Sequence, residues 1–557
     1  MENIEQGHKE FVKRLEHICN KYSDKTAITY IRNDDSKTLF TFGDIFKSIR
    51  SAKEKFNDIG LCPGDRVAII APHSPFAIMA GLSLAYSNIT SVLIDASLPA
   101  EEINRLLEQS DVRATLATSD IYGGFEKALK ADIPMFNIMT IADGFTVFSD
   151  SISSVKRDAT KDPHLDVIAI LYSSGTTASV KGIMVTYQTV IKALKLYMIN
   201  TGLTADMTYL LVLPFSHVAG YSNSCQYLLT GCEIGMIEDV DASKLSKGLN
   251  DYQPVIFSMV PRVFEVIESK IRQEIRSKGE KTEKKVLRLL SLSGFMRKKL
   301  GINIGKKLFN SITDKVFGTN IYGLGTGATP VKKANAEFFL NMGLEWANIY
   351  ALTETYVPCV GTGIHDRYPA GTEGYVKRHP GIDIKIHTPD KDGIGEIRIK
   401  TVLIMKGYFR DPELTAAAFD EDGYFKTGDL GYIDKKDYLH VTGRIKEAII
   451  MHTGKKVAPT DVDSFYSGLM GDLVFASCGV PNRDGTYDEI HLFIEKGELS
   501  IDEQKELCNQ IMDLSGQTST LYQLAGLHFI NTIPMTSIKK VKRFQLRDIA
   551  LSIYNDK

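Results

Sequence analysis

At 557 residues, 43% hydrophobic and 24% charged, the chain has the composition of a globular protein with roughly three or four folding units. The formal net charge of −2 excludes the basic balance that nucleic-acid binding brings, so no nucleic-acid partner is expected. The seven cysteines form no CxxC pair and no Cys/His cluster, which excludes a zinc-ligand spacing and a disulfide framework and leaves reduced thiols as the simple reading. The first residues, MENIEQGHKEFVKRLEHIC, are charged throughout and lack the apolar core of a signal peptide. No stretch reaches the roughly 18 apolar residues that span a bilayer, so a soluble, cytoplasmic protein without a transmembrane segment is expected.

From Thr26 onward, short β-branched runs alternate with helical patterns. Residues 66–71 (RVAIIA) read as a buried strand, 76–87 as a helix, 91–95 as the next strand and 100–109 as another helix. A second series begins at 166–171 and continues through 209–213 and 254–259. Alternation of this kind builds parallel sheets covered on both faces. Around 380–450 the pattern changes: runs at 382–386, 396–400 and 438–441 are separated by Gly and Asp turns, as in an antiparallel sheet. A last unit, from about residue 446, mixes strands (474–480, 490–495) with helices (502–514, 543–553).

Residues 270–307 carry 13 lysines and arginines against Glu274, Glu280 and Glu283. A solvated helix surface is the simpler reading of such a run, and peripheral docking on an anionic membrane or a phosphate-rich partner is the functional one.

The strongest local motif is 172–182, YSSGTTASVKG, directly after the strand at 166–171. Its hydroxyls, glycine and lysine supply the oriented donors and positive charge that a polyphosphate needs, without the GK[ST] ending of a Walker A loop. This loop resembles the YSSGTTGxPKG signature of the adenylate-forming superfamily, the acyl-CoA synthetases, adenylation domains and luciferases. Ser173, Ser174, Gly175, Thr176, Thr177, Lys181 and Gly182 match it, whereas Ala178 and Val180 depart from the usual glycine and proline.

The resemblance recurs in order along nearly the whole chain. Residues 63–72 look like the family's first core strand, and 350–355, YALTET, look like its YGxTE motif with Ala351 for glycine. The resemblance implies that Tyr350 stacks on adenine, that Thr353 touches phosphate, and that Glu354 is catalytic and holds Mg2+. Such a carboxylate is tolerable beside a triphosphate only with a cation between them. Residues 406–434 end in the family's TGD motif, whose Asp429 would accept both ribose hydroxyls. In the run GRIKE, Arg444 would also contact ribose and Lys446 would be the hinge; Gly454 would line the coenzyme A channel. Near the end, PMTSIKKVKR resembles PKTxxGKxxR, and aligning Pro534, Thr536 and Arg543 makes Lys540 the adenylation lysine, with Lys539 the candidate one residue away.

Residues 323–328, GLGTGA, satisfy a dinucleotide fingerprint, but the apolar run before them is very short and no acid follows where a second strand would end. They look instead like the family's GAxP loop, with Gly327 and Ala328 flanking adenine and substrate. The segment LVLPFSHVAGY (211–221) resembles the medium- and long-chain fatty-acid–CoA ligase branch, with His217 and Gly220 at the acyl pocket. His217 reads equally as a satisfied core histidine. Phe215 through Ser224 contain no acidic residue, which disfavours an α-amino acid, because its buried ammonium would lack a partner.

The resemblance thus implies an α/β fold. A large N-terminal AMP-binding domain (1–445) of doubly wound sheets with a small β-barrel-like portion would be followed by a small mobile α+β lid (446–557). The implied activity is MgATP-dependent activation of a carboxylic acid, then transfer to coenzyme A. An acyl carrier protein is the alternative acceptor, and a non-catalytic acyl or nucleotide binder is the remoter reading.

Overall fold

The β-branched runs build two large sheets, each buried on both faces. The structure, a computed structural model, describes residues 2–118, 121, 135–138, 146–147, 164–173, 180–201, 203–327, 331–356, 360–361, 369–376, 381–453, 455–471, 473–519, 521–536 and 540–555. One eight-stranded sheet runs in the order Val360–Gly361, Glu345–Tyr350, Gly323–Gly327, Ile256–Met259, Thr208–Leu211, Glu233–Ile237, Thr26–Ile31, Lys37–Thr41. It is parallel except at its two edges. The other runs Gly407–Tyr408, Lys181–Thr186, Val167–Ser173, Thr90–Asp95, Arg66–Ala71, Ala114–Ala117, Met135–Asn137, Thr146–Val147.

Period-two alternation distributes each strand between two cores. Tyr209 and Leu211 join a core shared by both sheets and their helices, whereas Leu210 turns to a second core with Phe257, Leu324 and Trp346. In the other sheet, Ile69 and Leu93 enter the shared core, and Ile70 and Ile94 face the helix Ala100–Ser110. The helix Pro75–Tyr86 (PFAIMAGLSLAY) is apolar almost all round and is correspondingly buried. The N-terminal segment, read from sequence only as charged, is the amphipathic helix Glu2–Lys21, with Phe11, Leu15 and Ile18 in the shared core.

The run Gly323–Gly327 is a buried parallel strand, which answers the dinucleotide-loop alternative: its glycines lie in a sheet, and Gly325 has Ser258 where a side chain would stand. The portion expected to be barrel-like is a five-stranded antiparallel sheet. Its order is Gly374–Tyr375, Tyr438–Arg444, Phe425–Ile433, Gly395–Thr401, Ile382–His387, and the two outer strands are not paired with each other among the described residues. After Arg444 come a short ribbon, Ile449–Ile450 with Lys456–Val457, and a three-stranded sheet, Phe475–Pro481, Asp488–Glu495 and Leu524–Ile530. The helices Pro459–Met470 and Ile501–Gly516 pack into a core with that sheet, and Arg543–Asn555 into another. Among the described residues, no helix is long and apolar enough to cross a membrane.

Candidate active site

Tyr350 ends a parallel strand at its carboxyl edge, the edge where open α/β sheets bind ligands. Its phenol donates to Asp429 Oδ2 at 2.7 Å. Asp429 lies directly across from Arg444 on neighbouring antiparallel strands, and Arg444 Nε sits 2.9 Å from Asp429 Oδ1. Gly428, at φ +70°, turns the strand just before the carboxylate. Burial pushes the Asp429 carboxyl up from its ordinary range, against the pull of the Arg444 guanidinium; Asp429 in turn raises Arg444.

Lys540 enters the same cleft from the other end of the chain. Met535 and Val541 pair as an antiparallel bridge, and the Lys540 amide donates to Thr536 Oγ1 at 3.1 Å, so a tight hairpin presents the lysine. Burial lowers its ammonium pKa, followed by the positive charge of Arg444, while Glu447 and Asp429 hold it up. A solvent-open cleft of about 90 Å³ is lined by Tyr350, Asp429, Arg444, Glu447, Lys540 and Arg543, among others. It therefore joins the five-stranded sheet to the C-terminal unit.

Lys181 and Glu354 meet through a third residue. Lys181 pairs with Ser173 across the hairpin of strands Val167–Ser173 and Lys181–Thr186, and its Nζ lies 4.9 Å over the ring of Tyr408. The Tyr408 hydroxyl donates to Glu354 Oε1 at 3.1 Å. Thr353 and Glu354 belong to a one-turn 3-10 helix, Thr353–Thr355, anchored where the Met405 amide donates to the Glu354 carbonyl at 2.7 Å. A lone carboxylate held by one phenol matches the way Mg2+ is usually taken, by one or two carboxylates plus substrate phosphates.

Gly327 ends its strand beside Ile349, whose carbonyl oxygen lies 2.6 Å from where a Cβ would be, so this glycine permits the close approach next to Tyr350. Gly220 is constrained more tightly still: a Cβ would stand 2.0 Å from the Pro214 carbonyl oxygen. It packs the start of the helix Val218–Leu228 against the preceding loop. His217 precedes that helix, its Nε2 3.4 Å from Asp95 Oδ2. It lies outside the cleft lining and carries a carboxylate partner. Lys446 falls in the turn between Arg444 and the strand Ile449–Ile450. Ser173 ends its strand, and Ser174, Gly175, Thr176, Thr177, Ala328 and Gly454 lie outside the described residues.

Several residues that line or support the cleft escaped the sequence reading. Arg543, used there only to align a motif, donates from Nε to the Ser477 carbonyl at 3.0 Å and pairs with Asp463. It also stands 3.9 Å from Glu447, tying the base of the Lys540 hairpin to the segment after Arg444. Glu373 accepts from the Val441 amide at 2.9 Å and from Asn348 at 3.2 Å on the cleft floor, and burial pushes its carboxyl up to about 7. Tyr408 and Glu447 sit inside quoted motifs, which is the signal that pointed near them; Asp463 and Glu373 have none.

A family profile described as AMP-binding enzyme matches residues 15–409, well over half of the chain, and the chain belongs to that family. It is thus an AMP-binding enzyme by family. A 3-[(3aS,4S,7aS)-7a-methyl-1,5-dioxo-octahydro-1H-inden-4-yl]propanoyl:CoA ligase of Rhodococcus jostii is 23% identical, over 96% of this chain and 97% of its own. A long-chain-fatty-acid–CoA ligase of Gallus gallus is 30% identical over 53% of this chain and 40% of its own. The solved anthranilate CoA ligase AuaEII, in complex with anthranoyl-AMP, superposes with a TM-score of 0.74 at 17% identity, covering 98% of each chain. These relatives take polycyclic, fatty and aromatic acids by name, so the matches do not single out the fatty-acid branch that the segment at 211–221 resembles.

Proposed function

We propose that the protein makes an acyl-adenylate from ATP and an apolar, fatty acid and passes the acyl group to coenzyme A, with Tyr350, Asp429, Arg444 and Lys540 holding the nucleotide through the activation. The single observation that carries this reading is their convergence in one cleft, with Lys540 supplied by the C-terminal unit. Asp429 accepts the ribose hydroxyls beside Arg444, and Tyr350 stacks on adenine. Lys540 neutralises charge on the α-phosphate as the carboxylate attacks it and pyrophosphate leaves. Ser173, Ser174, Thr176, Thr177 and Lys181 hold the outgoing phosphates, with Gly175 allowing their loop to close on them. Glu354 and Thr353 hold Mg2+ and phosphate at the end of the Lys181–Tyr408–Glu354 chain; when bound, the metal supplies charge neutralisation of the phosphates.

The apolar acid is supported by the side chains beside the segment 215–225, where Phe11, Ile78, Leu82, Phe215, Tyr221 and Cys225 surround a space of only about 10 Å³ with no charged side chain in its lining, so an acyl chain would have to part them. Gly220, Gly327 and Ala328 shape its approach to the nucleotide, and His217 gates it. The domains divide at 445/446. Rotation about Lys446 withdraws Lys540 and opens a thiol path near Gly454, so that one cleft serves two half-reactions in turn. An acyl carrier protein is the alternative thiol.

The test is pyrophosphate release across a panel of fatty, aryl and short acids, with and without coenzyme A. Release that depends on an added fatty acid, with consumption of free coenzyme A, is the expected result. A preference for aryl acids overturns the acid class. Adenylation without coenzyme A use transfers the assignment to a carrier protein.

A further inference from the structure

The basic segment 270–307, whose charges alone suit any solvated helix, carries a feature that solvation does not explain. The helix Glu280–Phe295 continues into a π-helical turn, Met296–Leu300, and packs through Leu290, Ser293 and Gly294. Its opposite face holds Lys281, Lys284, Lys285, Arg288, Leu292 and Phe295, all exposed. Phe295 is 57% exposed, Leu300 59%, and Leu292 and Ile302 49% each, so the end of this face projects bulky apolar side chains into water. Isolated exposed apolar side chains are ordinary, whereas Leu292, Phe295, Leu300 and Ile302 are four such side chains within eleven positions around one helix end.

The surrounding charge is one-sided. Lys284 pairs with Glu280, Arg276 with Glu283, and Lys298 with Glu337. Lys281, Lys285, Arg288, Lys299 and Lys307 have no carboxylate within ion-pair distance among the described residues. Unpaired cations flanking an apolar tip are what an interfacial helix presents to a lipid surface: the cations meet anionic headgroups while the apolar side chains enter the acyl boundary. A protein partner would need a matching acidic rim around an apolar pocket, and a soluble polyanion would leave Phe295, Leu292, Leu300 and Ile302 uncovered. The two chemistries are satisfied together by a bilayer.

We propose that the exposed face of residues 281–302 docks this protein peripherally on an anionic lipid bilayer. Docking here goes beyond the ligase activity and does not depend on which acid is used. None of these residues lines the Tyr350–Asp429–Lys540 cleft.

The experiment is flotation of the full chain with vesicles of phosphatidylcholine alone or mixed with phosphatidylglycerol, at low and high salt. Wild type is expected to float with the mixed vesicles, less so at high salt, and to stay behind with the neutral ones. Leu292→Ser combined with Phe295→Ser, and separately Lys281→Glu combined with Lys285→Glu, are each expected to reduce the bound fraction about tenfold or more. Both variants should keep the wild-type melting curve and wild-type pyrophosphate release with a soluble short acid. Three results overturn the proposal: no flotation, equal flotation with neutral vesicles, or undiminished binding by folded variants. Retention on a heparin column without vesicle binding also overturns it, in favour of a soluble polyanion. Failure of wild type to adenylate any acid would count against the enzymatic reading and leave the flotation result to be judged separately.

Discussion

The phenol of Tyr350 donates to Asp429 at 2.7 Å, while Arg444 takes the other carboxylate oxygen at 2.9 Å. One buried carboxylate thus holds two donors in place before any nucleotide arrives. Asp429→Ala removes the proposed ribose acceptor and leaves the phenol and guanidinium without their shared carboxylate. The KM for ATP in pyrophosphate release is expected to rise about tenfold or more. Tyr350→Phe keeps the ring and loses only the hydrogen bond, so its effect should be several-fold smaller; an equal loss would contradict the ribose assignment.

In the proposed mechanism Lys540 acts in the first half-reaction alone. Lys540→Ala is expected to slow acyl-adenylate formation by about 10²- to 10³-fold, the usual consequence of losing a group that stabilises developing charge. Thioester formation from supplied acyl-AMP should stay near wild type. Rapid-quench measurement of the two steps separates them, and a normal adenylation rate would pass the role to Lys539.

The turn at Lys446 makes no backbone hydrogen bond from its own N–H among the described residues, so proline there removes no bond while fixing φ. Lys446→Pro is expected to keep adenylation and lose thioester formation at least tenfold. Unimpaired thioester formation would exclude this residue as the hinge.

Glu373 links stability to pH. Its folded-state pKa is raised from 4.5 to about 7 by burial, so the proton is held more tightly in the folded chain. The stability this contributes is complete below the unfolded value and is lost as pH rises to about 7, amounting to about 3 kcal/mol at most. Glu373→Gln, which cannot ionise, should therefore gain in melting temperature over wild type from about pH 5 to pH 8 and hold that advantage above it. A difference independent of pH would refute the buried-carboxylate account.

Tyr356, two residues past Glu354, is fully buried at φ +65° and ψ −65°, and among the described residues its hydroxyl makes no hydrogen bond of good geometry, with Cys225 and Gln226 its polar neighbours. It lies against Tyr221 and Cys225, which line the apolar cavity. Tyr356→Phe keeps the ring and removes the unsatisfied oxygen, so a gain of about 1 kcal/mol in chemical denaturation is expected. A comparable loss would mean that the hydroxyl is satisfied in solution.

Much of the fold was legible because its signals are local. RVAIIA is a strand at Arg66–Ala71, the helix expected over 100–109 spans Ala100–Ser110, and the last helix starts at Arg543 as its pattern indicates. The GLGTGA run was ambiguous from sequence, because glycines suit both a phosphate loop and a strand that must pass close to its neighbours; only the pairing with Ile256–Met259 and Glu345–Tyr350 resolves it. The role of Tyr408 is not legible in sequence, since nothing local shows that a tyrosine will bridge a lysine and a glutamate supplied by two other elements.

The class of protein was carried by the resemblance of short segments, in order along the chain, to the adenylate-forming superfamily: a hydroxyl-rich loop, a TGD carboxylate and a late lysine are properties of such segments. Tertiary structure decided which of these groups act on one another. Asp429 meets Tyr350 across 79 positions, and Lys540 arrives from the opposite end of the chain, through sheet register and the docking of the C-terminal unit. It also decided that Phe295 and Leu292 face water, because Leu290, Ser293 and Gly294 already occupy the packed side of that helix. Long-range contacts depend on which faces are already buried, and no local window of sequence contains that information.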